Sequence, residues 1–189
     1  MTRIAVAGVF VGGAATRMGG LPKGLLLAPD GKTLVERTHA MLLAAGVREV
    51  VLVGAHSDYG HLGVPMLDDH PPRIGPLGGL IALLERARGG HAVAVACDMP
   101  FVSTRMFERL LAAPEGSIVA PRGSCRWEPL CSRYDAATVL PFALHRAEGL
   151  NHSLQGLLDE VVATELALTE EEAFQLRDWD TPADVSRER

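Results

Sequence analysis

Three stretches of this chain are apolar at every position: residues 4–11, 50–54 and 92–96. A strand with one wetted face alternates apolar and polar side chains. An unbroken apolar run of about four to eight residues fits a strand covered on both faces, as parallel sheets require. Between these runs the spacing turns helical. After Thr33 come Leu34, Val35, Thr38, Met41, Leu42 and Ala45, stopping at Gly46, a helix with a capping residue and a terminator. The pattern predicts an α/β chain with a three-layer, Rossmannoid arrangement and a mainly parallel central sheet.

The remaining segments fit that plan. Residues 64–67 make a short candidate strand, weakened by Pro65. A turn-rich connection over residues 71–79 leads into a helix over 80–87, and Ser103 caps a helix over 104–112. Residues 117–120 and 129–134 are further strand candidates, and 136–148 reads as a helix despite Pro141. Residues 163–168 form a weak strand, and Pro182 can open a last short helix. With 189 residues, no internal repeat and no linker, one domain over residues 1–189 is expected.

Composition removes several function classes. Hydrophobic residues make up 48% and charged residues 22%, which excludes a disordered chain. The net charge of −5 argues against a nucleic-acid-binding face, which is usually basic. Cys97, Cys125 and Cys131 are odd in number and lack CxxC spacing, so neither a disulfide framework nor a zinc site is expected. The apolar run at residues 4–11 is too short to span a bilayer and lacks the shape of a secretion signal. A cytoplasmic chain that uses no membrane is the expectation.

Chemistry concentrates where the apolar runs end, the edge at which open sheets of this type hold ligands. The first loop reads Gly12-Gly13-Ala14-Ala15-Thr16-Arg17-Met18-Gly19-Gly20-Leu21-Pro22-Lys23-Gly24. Its glycines let main-chain N–H groups approach a ligand, and Arg17 and Lys23 add cations, which suits a polyphosphate. A solvated surface loop would read the same way. Neither the P-loop spacing nor GxGxxG is present. Asp98 follows the run at 92–96 and is placed to hold Mg²⁺ that bridges phosphate oxygens, though turns also use such aspartates. Asp69 ends the run at 64–67, and Gly75-Pro76-Leu77-Gly78-Gly79 opens the next helix; together they could meet a nucleoside or form a hydrophilic turn. Cys97 reads as a small buried hydrophobe. The seven histidines show no metal-site spacing and read as surface or packing residues.

Taken in order, GG-x3-R-M-G-G-x2-K, Asp69, G-P-L-G-G, C-D-M-P at residues 97–100 and D-T-P at residues 180–182 form a combination sharper than its parts. It resembles the molybdenum cofactor guanylyltransferase family, nucleotidyltransferases of glycosyltransferase-A-like fold, over nearly the whole chain. The resemblance implies nucleotide contacts from Phe10, Val11, Gly12, Gly13, Lys23, Asp69, Gly78 and Asp98. It makes Asp98 the magnesium ligand and Lys23 and Arg17 the cations on the triphosphate. Phe10-Val11-Gly12 stands where the family usually has Leu-Ala-Gly. Some members carry an asparagine after the second strand, where this chain has Gly54. Near the pterin substrate the family often shows Asn-x-Asn-Thr-Pro; Asp178 and Asp180 replace both asparagines, and Glu128 stands in a nearby segment.

The resemblance implies GMP transfer from Mg-GTP to the terminal phosphate of molybdenum-bound molybdopterin, with pyrophosphate released and cofactor delivery or acceptor proteins as possible partners. Two alternatives keep the pocket. One is a molybdopterin cytidylyltransferase or another sugar- or alcohol-phosphate nucleotidyltransferase. The other is a nucleotide-binding assembly partner without catalysis.

Overall fold

The computed structural model describes residues 4–12, 22–28, 30–54, 57–123 and 126–179. One seven-stranded sheet organises them, in the order β3-β2-β1-β4-β6-β5-β7. The strands are β1 (Ile4–Phe10), β2 (Val50–Val53), β3 (Met66–Leu67), β4 (His91–Ala96), β5 (Ile118–Pro121), β6 (Cys131–Asp135) and β7 (Thr164–Leu166). β1, β2, β3 and β4 pair in parallel, β6 runs antiparallel to both β4 and β5, and β7 is parallel to β5. The sheet is therefore mainly parallel, as the apolar runs predict. Both of its edges, β3 and β7, are very short strands, which leaves little unpaired backbone for another chain to add to.

Helices cover both faces. Successive β1 side chains alternate between two cores: Val6 and Phe10 enter one, Ala7 and Val9 the other. The first core is closed by α2 (Pro76–Arg86), α4 (Ala136–Glu148) and α5 (Leu154–Glu160), through Leu80, Ile81, Leu84, Val139 and Leu157. The second is closed by α1 (Leu34–Ala44) and α3 (Thr104–Ala112), through Val35, Leu42, Met106, Phe107 and Leu110. A last short helix, α6 (Glu170–Gln175), buries no residue of its own. This is the expected three-layer arrangement. Among the described residues no helix is long and apolar enough to cross a membrane.

Caps set the helix boundaries. Thr33 and Glu36 form a reciprocal capping box at α1: the Glu36 N–H donates to Thr33 Oγ1 at 3.3 Å, and the Thr33 N–H to Glu36 Oε2 at 3.0 Å. Ser103 accepts from the Met106 N–H at the start of α3, and Asp135 accepts from the Ala137 N–H at α4. Helix α2 begins at Pro76, not at residue 80, because proline is pre-organised for the first helical position and Gly75 serves as its cap. Gly78 and Gly79 thus belong to the first turn of a helix rather than to the preceding loop. The sequence reading also missed α5, α6 and a 3-10 helix over Ser57–Leu62. The helix expected from Pro182 lies outside the described residues.

Candidate active site

The chain order of the parallel strands reverses between β1 and β4, where β2 and β3 extend one way and β6, β5 and β7 the other. Open α/β sheets form a crevice beyond the strand ends at such a reversal. Here the Cys97 N–H donates to the Phe10 carbonyl at 3.2 Å, tying the two strand exits together. Asp98 follows directly.

Lys23 reaches this point from far away in sequence. It begins a 3-10 turn, Lys23–Leu25, that leads toward α1. Its Nζ donates to Asp98 Oδ2 at 2.9 Å, with both side chains largely but not fully buried (24% and 18% exposed). A cation and a carboxylate in contact at this depth suit a ligand that itself carries anionic oxygens and a divalent ion, because each could exchange its partner for one on the ligand.

On the β2–β3 side the strand exits close around Asp69. Gly54 holds a positive φ of 87°, and a Cβ there would lie 2.8 Å from the Gly12 Cα. Only glycine satisfies both the conformation and the approach, so no side chain projects from this position. Gly12 is exposed while Phe10 and Val11 are buried, which leaves main chain, not side chain, facing the crevice at the end of β1. The first turn of α2 presses on the same place: a Cβ at Gly79 would come within 3.0 Å of both Asp69 Oδ1 and Phe10 Cε1. A Cβ at Gly78 would meet the Pro71 carbonyl at 2.3 Å. Burial, with Asp68 adding repulsion, raises the Asp69 carboxyl pKa above its ordinary range. Phe10, Gly12, Asp69 and Gly78 are therefore brought together.

On the other side of the divide, the Ala96 N–H donates to the Leu130 carbonyl at 2.7 Å, which brings residues 128–130 to the same edge. Glu128 is half-buried. Its pKa is raised first by burial and then by the nearby Asp178, with Arg126 pulling the other way. Asp178 is held there because the Trp179 N–H donates to the Asp98 carbonyl at 2.9 Å. The Trp179 side chain is buried against Ala28 and Leu34 and meets Phe101 edge-on at 6.3 Å. Glu128 and Asp178 thus stand near one another on the opposite side of the β1/β4 divide from Asp69. Gly13, Arg17 and Asp180 lie outside the described residues.

Cys97 and Cys131 are buried and unbridged, and burial pushes both thiols up to about 12, so neither is a thiolate nucleophile. The described residues contain no group of three or more His, Cys, Asp or Glu that could enclose a metal. A site for Mg²⁺ does not need one. That ion commonly takes one or two protein carboxylates and completes its octahedron from phosphates and water. Asp98, a hard oxygen donor at the crevice floor, fits such a role.

A mainly parallel sheet with a cation and a carboxylate paired at its reversal point defines an α/β protein of the kind that holds its ligand beyond the strand ends. The MobA-like NTP transferase domain family matches residues 7–162, and the chain belongs to it. A molybdenum cofactor guanylyltransferase of Xanthomonas euvesicatoria is 30% identical over 95% of this chain and 91% of its own. A probable molybdenum cofactor guanylyltransferase of Opitutus terrae is 32% identical over 98% and 95%, respectively. The crystal structure of molybdopterin-guanine dinucleotide biosynthesis protein A from Archaeoglobus fulgidus shares the fold. Its TM-score is 0.77 at 20% identity, covering 97% of this chain and 96% of that one.

Proposed function

We propose that this chain transfers the guanylyl group of GTP to the terminal phosphate of molybdenum-bound molybdopterin, forming the guanine dinucleotide cofactor. The observation that carries the reading is the Lys23–Asp98 pair at the β1/β4 reversal, in a chain matched over nearly its full length by relatives named for that activity.

An oxygen of the acceptor phosphate attacks the α-phosphorus of GTP. A new P–O bond forms while the bond from that phosphorus to the bridging oxygen breaks, and its electron pair leaves with pyrophosphate. The acceptor is a monoester carrying about −1.5 to −2 near neutral pH, so it needs no general base. The difficulty is the approach of one anion to another, and the protein's work is positioning and charge neutralisation. Lys23 and Arg17 take the triphosphate oxygens. The main chain of Phe10, Val11, Gly12 and Gly13, with Asp69 and Gly78, frames the nucleotide, and Glu128, Asp178 and Asp180 line the acceptor side. Asp98 holds Mg²⁺, which when bound offsets the negative charge of the triphosphate. The reaction is placed in the cytoplasm, where buried thiols such as Cys97 stay reduced, and its cofactor product passes to acceptor proteins.

The test is pyrophosphate release with molybdenum-loaded pterin, Mg²⁺ and each of GTP, CTP and ATP in turn. Release with GTP alone is expected. Release with CTP instead makes the protein a cytidylyltransferase, and nucleotide binding without release makes it an assembly partner.

A further inference from the structure

The proposed site uses no residue of α5, yet side chains of that helix converge on the neighbour of Glu128. β6 runs antiparallel to both β4 and β5, so β4 and β5 point the same way. The chain leaving β5 at Pro121 therefore emerges at the edge where β4 leads into Asp98. There it turns back, with Arg122 opposite Trp127. The bonds of this ribbon are made by the flanking residues. The Gly123 N–H donates to the Arg126 carbonyl at 2.8 Å, and the Glu128 N–H to the Pro121 carbonyl at 2.9 Å. A pair flanked in this way directs its own N–H and C=O outward. At Trp127 a side chain, not a strand, takes that outer edge. The Trp127 N–H donates to Gln155 Oε1 at 3.0 Å, and Gln155 Nε2 donates to the Trp127 carbonyl at 2.7 Å. A primary amide offers an acceptor and a donor together, as a peptide group does. The ring is held as well. Its indole N–H donates to Asp159 Oδ1 at 2.8 Å, and the Arg122 guanidinium lies over its face at 4.9 Å.

We propose that Gln155 is a positioning residue for Glu128: by clamping both main-chain groups of Trp127, it fixes where the next carboxylate stands when the acceptor binds. The inference rests on the reading of Glu128 as an acceptor-side group, and it gives a task to a helix that no motif marks. Beyond Glu128 the chain is fixed again, because the Glu128 carbonyl accepts from Ser132 Oγ at 2.6 Å and from the Cys131 N–H at 3.0 Å. Burial and Asp178 both disfavour the Glu128 charge, so a loosely held segment would let that carboxylate swing toward water. The clamp closes that route, and less must be ordered when the acceptor arrives.

The experiment measures pyrophosphate release at saturating GTP and Mg²⁺ with molybdenum-loaded pterin varied, and fluorescent GTP binding alongside. Gln155→Leu should raise KM for the pterin about tenfold, the scale of a displaced positioning group, and leave GTP affinity within about twofold. Gln155→Glu keeps the shape and should raise KM too, because an oxygen then faces the Trp127 carbonyl. Unchanged KM in both variants would overturn the proposal. Glu160→Gln loosens α5 from Arg146 without touching the clamp and should leave KM alone; an equal rise there would assign the effect to helix packing and overturn it. In the Glu128→Gln background, Gln155→Leu should add less than about twofold, since the group it positions is gone. An equal rise in both backgrounds would mean that the clamp does not act through Glu128. If Glu128→Gln itself leaves KM unchanged, the acceptor-side reading fails and the proposal falls with it, whereas unchanged KM in the Gln155 variants alone removes only the clamp. Amide exchange of Trp127 in the nucleotide-free protein gives a readout without turnover. It should quicken about tenfold in Gln155→Leu, and unchanged exchange would also overturn the clamp.

Discussion

Lys23 and Asp98 are 75 positions apart and meet at 2.9 Å, so each is half of a device that neither makes alone. Without ligand they neutralise one another. With Mg-nucleotide bound, each would exchange its partner for a stronger one, and the net cost of parting them is small because both retain some contact with water. Two variants follow from this. Lys23→Ala should reduce turnover by about 2–4 kcal/mol in the transition state, the scale of one lost charge-stabilising donor. Asp98→Asn should abolish magnesium-dependent pyrophosphate release, while the melting temperature of either variant stays within a few degrees, since a partly exposed pair adds about 1 kcal/mol or less. Normal turnover in Asp98→Asn would remove that residue from the metal role. The sequence made both residues legible because each sits in a short pattern of unusual composition, R-M-G-G-x2-K and C-D-M-P. Tyr59 was not legible. It lies in an unremarkable segment between β2 and β3, and its packing against Gly24 arises only from a contact made across the fold.

Among the elements, α3 shows how a buried charge can serve structure rather than chemistry. Arg133 stands on β6, fully buried, on the face shared with Cys131 and away from Tyr134. Its Nη1 donates to the carbonyls of Leu110, Leu111 and Ala113 at 3.1, 3.3 and 2.8 Å, and its Nη2 to that of Pro114 at 2.5 Å. The first three belong to the C-terminal turn and cap of α3, where a helix leaves its carbonyls unpaired, and a cation there also meets the negative end of the helix dipole. Arg133→Met should therefore destabilise the protein by on the order of 3 kcal/mol, since buried acceptors lose their partner. Arg109→Met, which removes a partly exposed bridge to Glu172, should cost about 1 kcal/mol or less. Denaturant midpoints compare the two, and a similar small loss in both would refute the capping role. Element type was readable wherever one signal was strong: unbroken apolar runs gave the central strands, and Ser103 gave α3 to the residue. Helix α5 escaped although Ser153 caps it and Leu154, Leu157 and Leu158 repeat at helical spacing, because a stripe of two turns is short enough to pass for loop. The antiparallel insertion of β6 between β4 and β5 was beyond sequence reasoning altogether, since strand order depends on which edges meet in space.

At the scale of the whole molecule, the crevice divides into two regions of different electrostatic character. On the side of residues 128–130, Asp178 raises the Glu128 carboxyl while Arg126 opposes it. Holding them together costs stability, and the sign of its pH dependence can be worked out. The folded pKa of Glu128 lies above its ordinary value of 4.5, chiefly through burial and then through Asp178. Ionised Glu128 is thus less favourable in the folded protein than in the unfolded chain. Its contribution is most favourable below about pH 4.5 and is lost as pH rises through the raised folded value. Glu128→Gln keeps the shape and removes the charge. The difference in melting temperature between this variant and wild type should be smallest below the ordinary carboxyl value, grow in favour of the variant through the titration, and level off above the raised folded value. Asp178→Asn should show the same trend with smaller amplitude, because it removes only the second of the two causes. Both variants should leave GTP affinity nearly unchanged and raise KM for the pterin acceptor, which ties the stability cost to one side of the crevice. A flat difference curve, or one in which Glu128→Gln loses stability as pH rises, would mean that the carboxylate is satisfied by partners other than those argued here.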